Sequence, residues 1–354
     1  LIDEARLAAR IQHPNVVQTL DVVAERRELF IVMEYIHGES LSQLLRQHFQ
    51  AALRIPFWIV ATMLVDVLQG LHAAHETKDE EGRCLDLVHR DISPQNIIVG
   101  ADGLTRVLDF GIAQSRDSLH VSQAGTLRGK CSYVSPEQIS EAYVSKRADV
   151  YSASVVLWEC LNGQRLFHAQ SPQAILAQVL SGNVEAPSQI VPELPTAFDA
   201  VVLRGLAKNP AERFESAKDM AEELGKCCRL ASHGNVAAWL GKEAHARLSQ
   251  RADCLARIER NLSSDRHLAL RELLGDLVPQ EDVWLSSHSA HDSKPPVSSD
   301  ALRQTDEWKG TLTLQDPALK LFSKAPRVWR TAVASVVVAV VVAILGAIVP
   351  RRDA

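Results

Sequence analysis

Residues 89–96 read His-Arg-Asp-Ile-Ser-Pro-Gln-Asn, and 18 positions after Asp91 comes Asp109-Phe110-Gly111. Apolar runs border both clusters. Leu87-Val88 leads into the first, Ile97-Ile98-Val99 follows Asn96, and Arg106-Val107-Leu108 runs into Asp109. Short apolar runs bounded by polar residues are strand signals, so the pattern predicts two short strands flanking a polar loop. Either triplet alone would arise often by chance. In this order, each beside a strand-like run, they constrain the fold more than any other feature of the chain.

The two clusters resemble the H-R-D-x-x-x-x-N and D-F-G motifs of eukaryotic-type protein kinases, and further landmarks follow at suitable distances. Ser135-Pro136-Glu137 stands where A-P-E is usual, with Glu137 28 positions after Asp109. The resemblance covers about residues 1–230 and implies an α+β fold of two lobes, a small stranded lobe and a helical large lobe. It also implies roles. Asp91 would orient the acceptor hydroxyl and take its proton, while Asn96 and Asp109 hold Mg2+, a hard cation suited to oxygen donors. His89, Arg90, Phe110 and Gly111 complete the motifs. ATP would be the phosphoryl donor, in a reaction that needs positioning and charge neutralisation rather than covalent chemistry. Leu29 to Ile36 looks like the strand and hinge that cradle adenine, with backbone groups of Glu34 and Ile36 on the purine edge, Met33 as gate and Ile98 as floor. Asp149 would accept hydrogen bonds from the loop backbone. Arg213 would form a buried ion pair with Glu137.

Two departures bear on mechanism. The residue two after the catalytic aspartate, commonly Lys, is Ser93, and the common Gly-Thr near the substrate is Gly129-Lys130. Lys130 is therefore expected either to reach the place of the absent lysine or to be a solvated loop charge. Pro94 fits the Ser/Thr pattern, which makes protein serine and threonine the expected acceptors. Arg90 would bind a phosphate on the activation segment, with Thr126 the favoured phosphosite.

The match begins at the helix that follows the lysine-bearing strand, with Glu4 as the usual partner of that lysine. The expectation is a fragment without the Gly-rich strand pair. Two readings follow: an active Ser/Thr kinase, favoured by Asp91, Asn96 and Asp109 together, or a pseudokinase scaffold, favoured by Ser93 and the absent lysine region.

Thr331 to Pro350 holds no charged residue over 20 positions, and at ~1.5 Å per residue such a helix spans a bilayer core of ~30 Å. Trp329 and flanking arginines suit its ends. The expected plan is a kinase domain over 1–230, a helical extension over 231–278, a flexible juxtamembrane linker over 279–330, a transmembrane helix over 331–350 and a tail over 351–354. The extension would supply either homodimer contacts or a cap on the kinase lobe. With ATP inside the cell, the kinase domain would face the cytoplasm from a single-pass position in the cell membrane. Net charge is -5, so nothing argues for nucleic acid. The six cysteines form no C-x-x-C pair and read as reduced thiols.

Overall fold

Every strand among the described residues lies before residue 108, and eight of the ten α-helices lie after residue 130. The computed structural model describes residues 7, 9–25, 28–108, 110 and 130–275; for 24, 25, 28, 29 and 261–275 the backbone alone is described. Strands β1 (Thr19–Glu25) and β2 (Glu28–Met33) form an antiparallel pair with an irregularity between Thr19 and Asp21. The chain then runs without regular structure through residues 34–37 into β3 (Gly38–Ser40) and directly into α1 (Leu41–Ala51). The Ser40 hydroxyl caps α1 by accepting from the Gln43 N–H at 3.4 Å. That bond meets one of the four orphan donors of a helix start.

Next comes α2 (Phe57–His75), followed after the polar loop by β4 (Ile97–Gly100) and β5 (Thr105–Val107). The order β3-β4-β5 is antiparallel throughout. Both strands thus follow the loop and pair with each other, rather than flanking it. Leu87 and Val88 form no strand; the amides of the next residues, His89 and Arg90, bond the Asp149 carboxylate instead of a neighbouring strand. The hairpin is tied to the N-terminal part of the chain, with Val17 N–H on Val107 O and Val107 N–H on Asn15 O, both at 2.9 Å.

The remaining helices are α3 (Pro136–Ile139), α4 (Arg147–Asn162), α5 (Pro172–Ser181), α6 (Pro187–Ile190), α7 (Ala197–Gly205), α8 (Ala217–Lys226), α9 (His233–Glu243) and α10 (His245–Gly275). Helix α2 is apolar on nearly every side and passes the length and composition test for a membrane span, but most of it is buried. A helix apolar all round belongs in a core, and α2 packs against α4, α8, β5 and α9. Its Leu64, Leu68 and Leu71 are fully buried, each worth about 1.5–3 kcal/mol. Every residue of α4 after Arg147 is buried as well.

Asp66 is the polar exception inside α2. Its carboxylate accepts the Thr105 N–H at 2.9 Å and contacts His233 Nε2 at 3.1 Å, binding β5 and α9 to the core helix. Burial pushes its carboxyl above the ordinary value against the pull of those two bonds.

Contacts divide the chain into a unit ending at Cys254 and a second unit from Leu255. The first unit thus includes, beyond the expected kinase domain of 1–230, the first part of the expected extension. Val236, Leu240 and Leu248 belong to the buried core of the first unit. Glu39, 1% exposed, accepts from Arg247 Nε at 2.5 Å and Arg251 Nη2 at 3.0 Å, and Arg251 also donates to the Gly38 carbonyl. Residues 231–254 cap this unit. Of the second unit, the described part is α10 from Leu255, by its backbone alone from 261 to 275; the end of the extension at 276–278, the linker 279–330, the apolar segment 331–350 and the tail lie outside the described residues.

Candidate active site

The loop of residues 87–96 is shaped by one buried carboxylate. Asp149, fully buried on α4, accepts the His89 N–H and the Arg90 N–H at 2.8 Å each, and His75 Nε2 from α2 at 2.7 Å. Burial alone would push its carboxyl up, but the hydrogen bond and charge of His75, with His89 behind them, outweigh it and hold the carboxyl below its ordinary value. The two amides it captures fix Arg90 in the left-handed region at φ 65°, which costs a non-glycine residue about 1–2 kcal/mol. The Arg90 guanidinium is exposed.

His89 locks the other side. Its Nδ1 accepts the Asp91 N–H at 3.2 Å, so Nε2 carries the proton and donates to Leu108 O at 2.7 Å. The ring lies 4.8 Å from that of Phe110, which is buried. Asn96 N–H is held by Ser93 O, and Asn96 O accepts the Leu108 N–H at 2.9 Å.

Asp91 stands at the focus with its side chain 20% exposed. Its Oδ2 accepts from Lys130 Nζ at 2.5 Å and from Asn96 Nδ2 at 3.1 Å, and Asn96 Nδ2 also reaches Asp91 O at 2.8 Å. Lys130, with 39% of its side chain in solvent, thus lies on the Asp91 carboxylate. Ser93 is 1% exposed, and its hydroxyl has no partner among the described residues. With the amide nitrogen of Asn96 on the carboxylate, its Oδ1 is left without a protein partner among those residues. A neutral oxygen so placed fits a hard cation.

The segment after Lys130 is braced against this loop. Gln138 donates to Arg90 O at 3.0 Å while its Oε1 takes Ser135 N–H and hydroxyl, a capping box for α3. Glu137 meets Arg213 through two bonds of 2.7 and 2.8 Å with side chains 5% and 0% exposed. The other Arg213 donors reach Ala207 O, Arg147 O and Lys208 O, so all five guanidinium hydrogens are engaged. Cys131 is buried, and burial pushes its thiol up, away from a reactive thiolate.

The expected hinge residues lie at the end of β2. Met33 closes the strand, and the Glu34 N–H is taken by Gln18 O at 3.0 Å. The Glu34 carbonyl and the Ile36 N–H have no backbone partner among the described residues. Ile98 is half-buried between buried Ile97 and Val99. Glu4, Asp109, Gly111 and Thr126 lie outside the described residues. Sequence reasoning missed three partnerships: His75 on Asp149, Glu39 with its two arginines, and Glu159 with Tyr133 and Arg165. Only the last left a trace, a glutamate inside the apolar run of α4.

A family profile for the protein kinase domain matches residues 1–224. The chain is similar to the tyrosine-protein kinase MasK of Myxococcus xanthus, 38% identical over 222 residues that cover 63% of this chain and 34% of that protein. It is 36% identical over 218 residues to the serine/threonine-protein kinase PknH of Mycobacterium tuberculosis, covering 62% of this chain and 33% of that one. The chain thus spans about a third of the length of these relatives. A crystal structure of a variant PknI kinase domain from Mycobacterium tuberculosis overlaps 63% of this chain and 75% of that one, with 25% identity and a TM-score of 0.48.

Proposed function

This chain belongs to the protein kinase domain family, and on that premise we propose that it transfers the γ-phosphate of ATP to serine or threonine hydroxyls of proteins. Members of the family use ATP with Mg2+ and act on protein substrates. The observation that carries the proposal is the Asp91 carboxylate, fixed by the Asp149-anchored loop and touched on one oxygen by both Lys130 and Asn96.

In this reading Asp91 orients the acceptor hydroxyl and takes its proton. Lys130 supplies the cation that position 93 lacks and stabilises charge on the transferring group. Asn96 and Asp109 would hold the metal, which when bound neutralises charge on the nucleotide phosphates. The Glu34 carbonyl and Ile36 N–H would position the base, beside Met33 and Ile98, and Glu4 would pair with a nucleotide-binding lysine. Arg90 would bind phosphorylated Thr126. The same reading makes residues 331–350 a single span of the cell membrane, with the kinase domain cytoplasmic and signalling to protein substrates, and gives residues 231–278 either self-association or capping of the lobe.

Full-length Asp91→Asn, assayed with labelled ATP on a protein substrate, should lose about 10²–10⁴-fold in transfer rate. An undiminished rate would remove Asp91 from the chemistry. A wild type that binds nucleotide and partners without transfer would turn the reading to a pseudokinase scaffold. One relative is named a tyrosine kinase and another a serine/threonine kinase, so phosphoamino-acid analysis of the product decides the acceptor. Phosphotyrosine alone would overturn the Ser/Thr assignment.

A further inference from the structure

Beside the loop of residues 87–96 opens a cleft of about 180 Å³. Arg46 and Phe49 of α1 line one side, Gln95 of the loop the second, and Tyr133 and Arg165 the third. It adjoins the reacting groups through the chain itself: Gln95 precedes Asn96, and Tyr133 follows Lys130 by three residues. Among the described residues, no carboxylate lines it.

Glu159, the acid bonded to Tyr133 and Arg165, is internal and fully engaged. Its side chain is 0% exposed. Oε2 accepts the Tyr133 hydroxyl at 2.8 Å and Arg165 Nη1 at 3.1 Å, and Oε1 accepts the Leu166 N–H at 3.3 Å. Arg165 also contacts the Tyr133 hydroxyl and lies 5.9 and 5.7 Å from the ring centres of Phe49 and Tyr133. It is therefore held in place with 42% of its side chain still in solvent. Arg46 is exposed, and no hydrogen bond or ion pair reaches its guanidinium among the described residues. Among the described residues, one fixed cation and one unengaged cation share a cleft without acid, in a chain of net charge -5.

We propose that this cleft receives an acidic side chain of the protein substrate, close in sequence to the phosphorylated residue; the assignment rests on the kinase reading above. Guanidinium groups match carboxylate and phosphate oxygens in a fixed fork. A basic side chain would meet two like charges, with the Glu159 carboxylate already occupied, and like-charge juxtaposition selects against such partners.

The test is a set of peptides that place Glu, phosphoserine, Gln or Lys at each position around one acceptor, phosphorylated by the full-length protein, with transfer to a generic protein substrate followed in parallel. Glu should be preferred over Gln about fivefold in kcat/KM at one or two positions, the scale of an exposed ion pair, and Lys should be disfavoured. Arg46→Glu, a change at an exposed residue without internal partners, should invert that order at the same positions. Arg165→Gln should weaken the preference while circular dichroism reports whether the Glu159 network still folds. Equal use of Glu, Gln and Lys peptides, or an order unchanged by Arg46→Glu, overturns the subsite while transfer to the generic substrate upholds the kinase. Absence of transfer to any substrate overturns both. A preference for phosphoserine over Glu would assign the cleft to an already phosphorylated site.

Discussion

Asp91 has two partners on one carboxylate oxygen, and one of them, Lys130, comes from 39 residues away. An ammonium 2.5 Å from a carboxylate both holds it and lies where charge develops if Asp91 meets the acceptor. Lys130→Ala in the full-length protein should cut transfer more than tenfold, about 1.4 kcal/mol of barrier, and the exchange Ser93→Lys with Lys130→Thr should restore most of it. Steady-state rates of the wild type and the two variants check this, and an unchanged Lys130→Ala rate rejects the role. His72 makes a second prediction at this scale. Burial holds its imidazole below the ordinary value against the pull of Glu76, and its Nδ1 is buried without a partner. Its unfolded form binds a proton near pH 6.5 while the folded form resists, so folding loses stability as pH falls through that range. Between pH 7.5 and 5.5 the melting temperature of the wild type should drop further than that of His72→Gln. Parallel thermal melts decide it.

At the scale of elements, the turn between β4 and β5 meets the start of α9. Gly103 sits at φ 83°, and a Cβ there would stand 1.8 Å from His233 O and 2.6 Å from His233 C. Both atoms are backbone and cannot rotate away, and the left-handed φ adds about 1–2 kcal/mol for any other residue. Gly103→Ala should destabilise by more than that strain alone, read as a lowered midpoint in urea; a midpoint within error of wild type would mean that α9 shifts freely. Much of this layout is legible in the chain. The apolar periodicity around Trp239 and Leu240 marks α9, the apolar run from Phe57 marks α2, and the spacing from Asp109 to Glu137 places α3. The strand order is less legible, because Leu87 and Val88 are as apolar as a strand while the next amides bond a carboxylate 60 residues on. Glu39 is illegible for the same reason: its partners Arg247 and Arg251 lie more than 200 residues away, and no local pattern encodes such a meeting.

For the molecule as a whole, the fold to Cys254 is larger than its motif-bearing part. Ending the chain at 230 would strip Val236, Leu240 and Leu248 from the core and remove both arginines that Glu39 binds. The site shows the same long-range dependence. Asp91, Asn96, Glu137, Asp149 and Arg213 could be singled out from motifs, yet Asp149, which shapes the loop, is itself held by His75, a histidine that from sequence looks like plain packing. Asp149 also sets a clock. Loop amides ordinarily trade their protons with solvent through local fraying, but those of His89 and Arg90 point at a carboxylate sealed between α2 and α4. Their release requires the same opening that frees the core helices. Deuterium should therefore enter these two loop positions as slowly as it enters α4, and faster uptake would show a loop that breathes independently of the core.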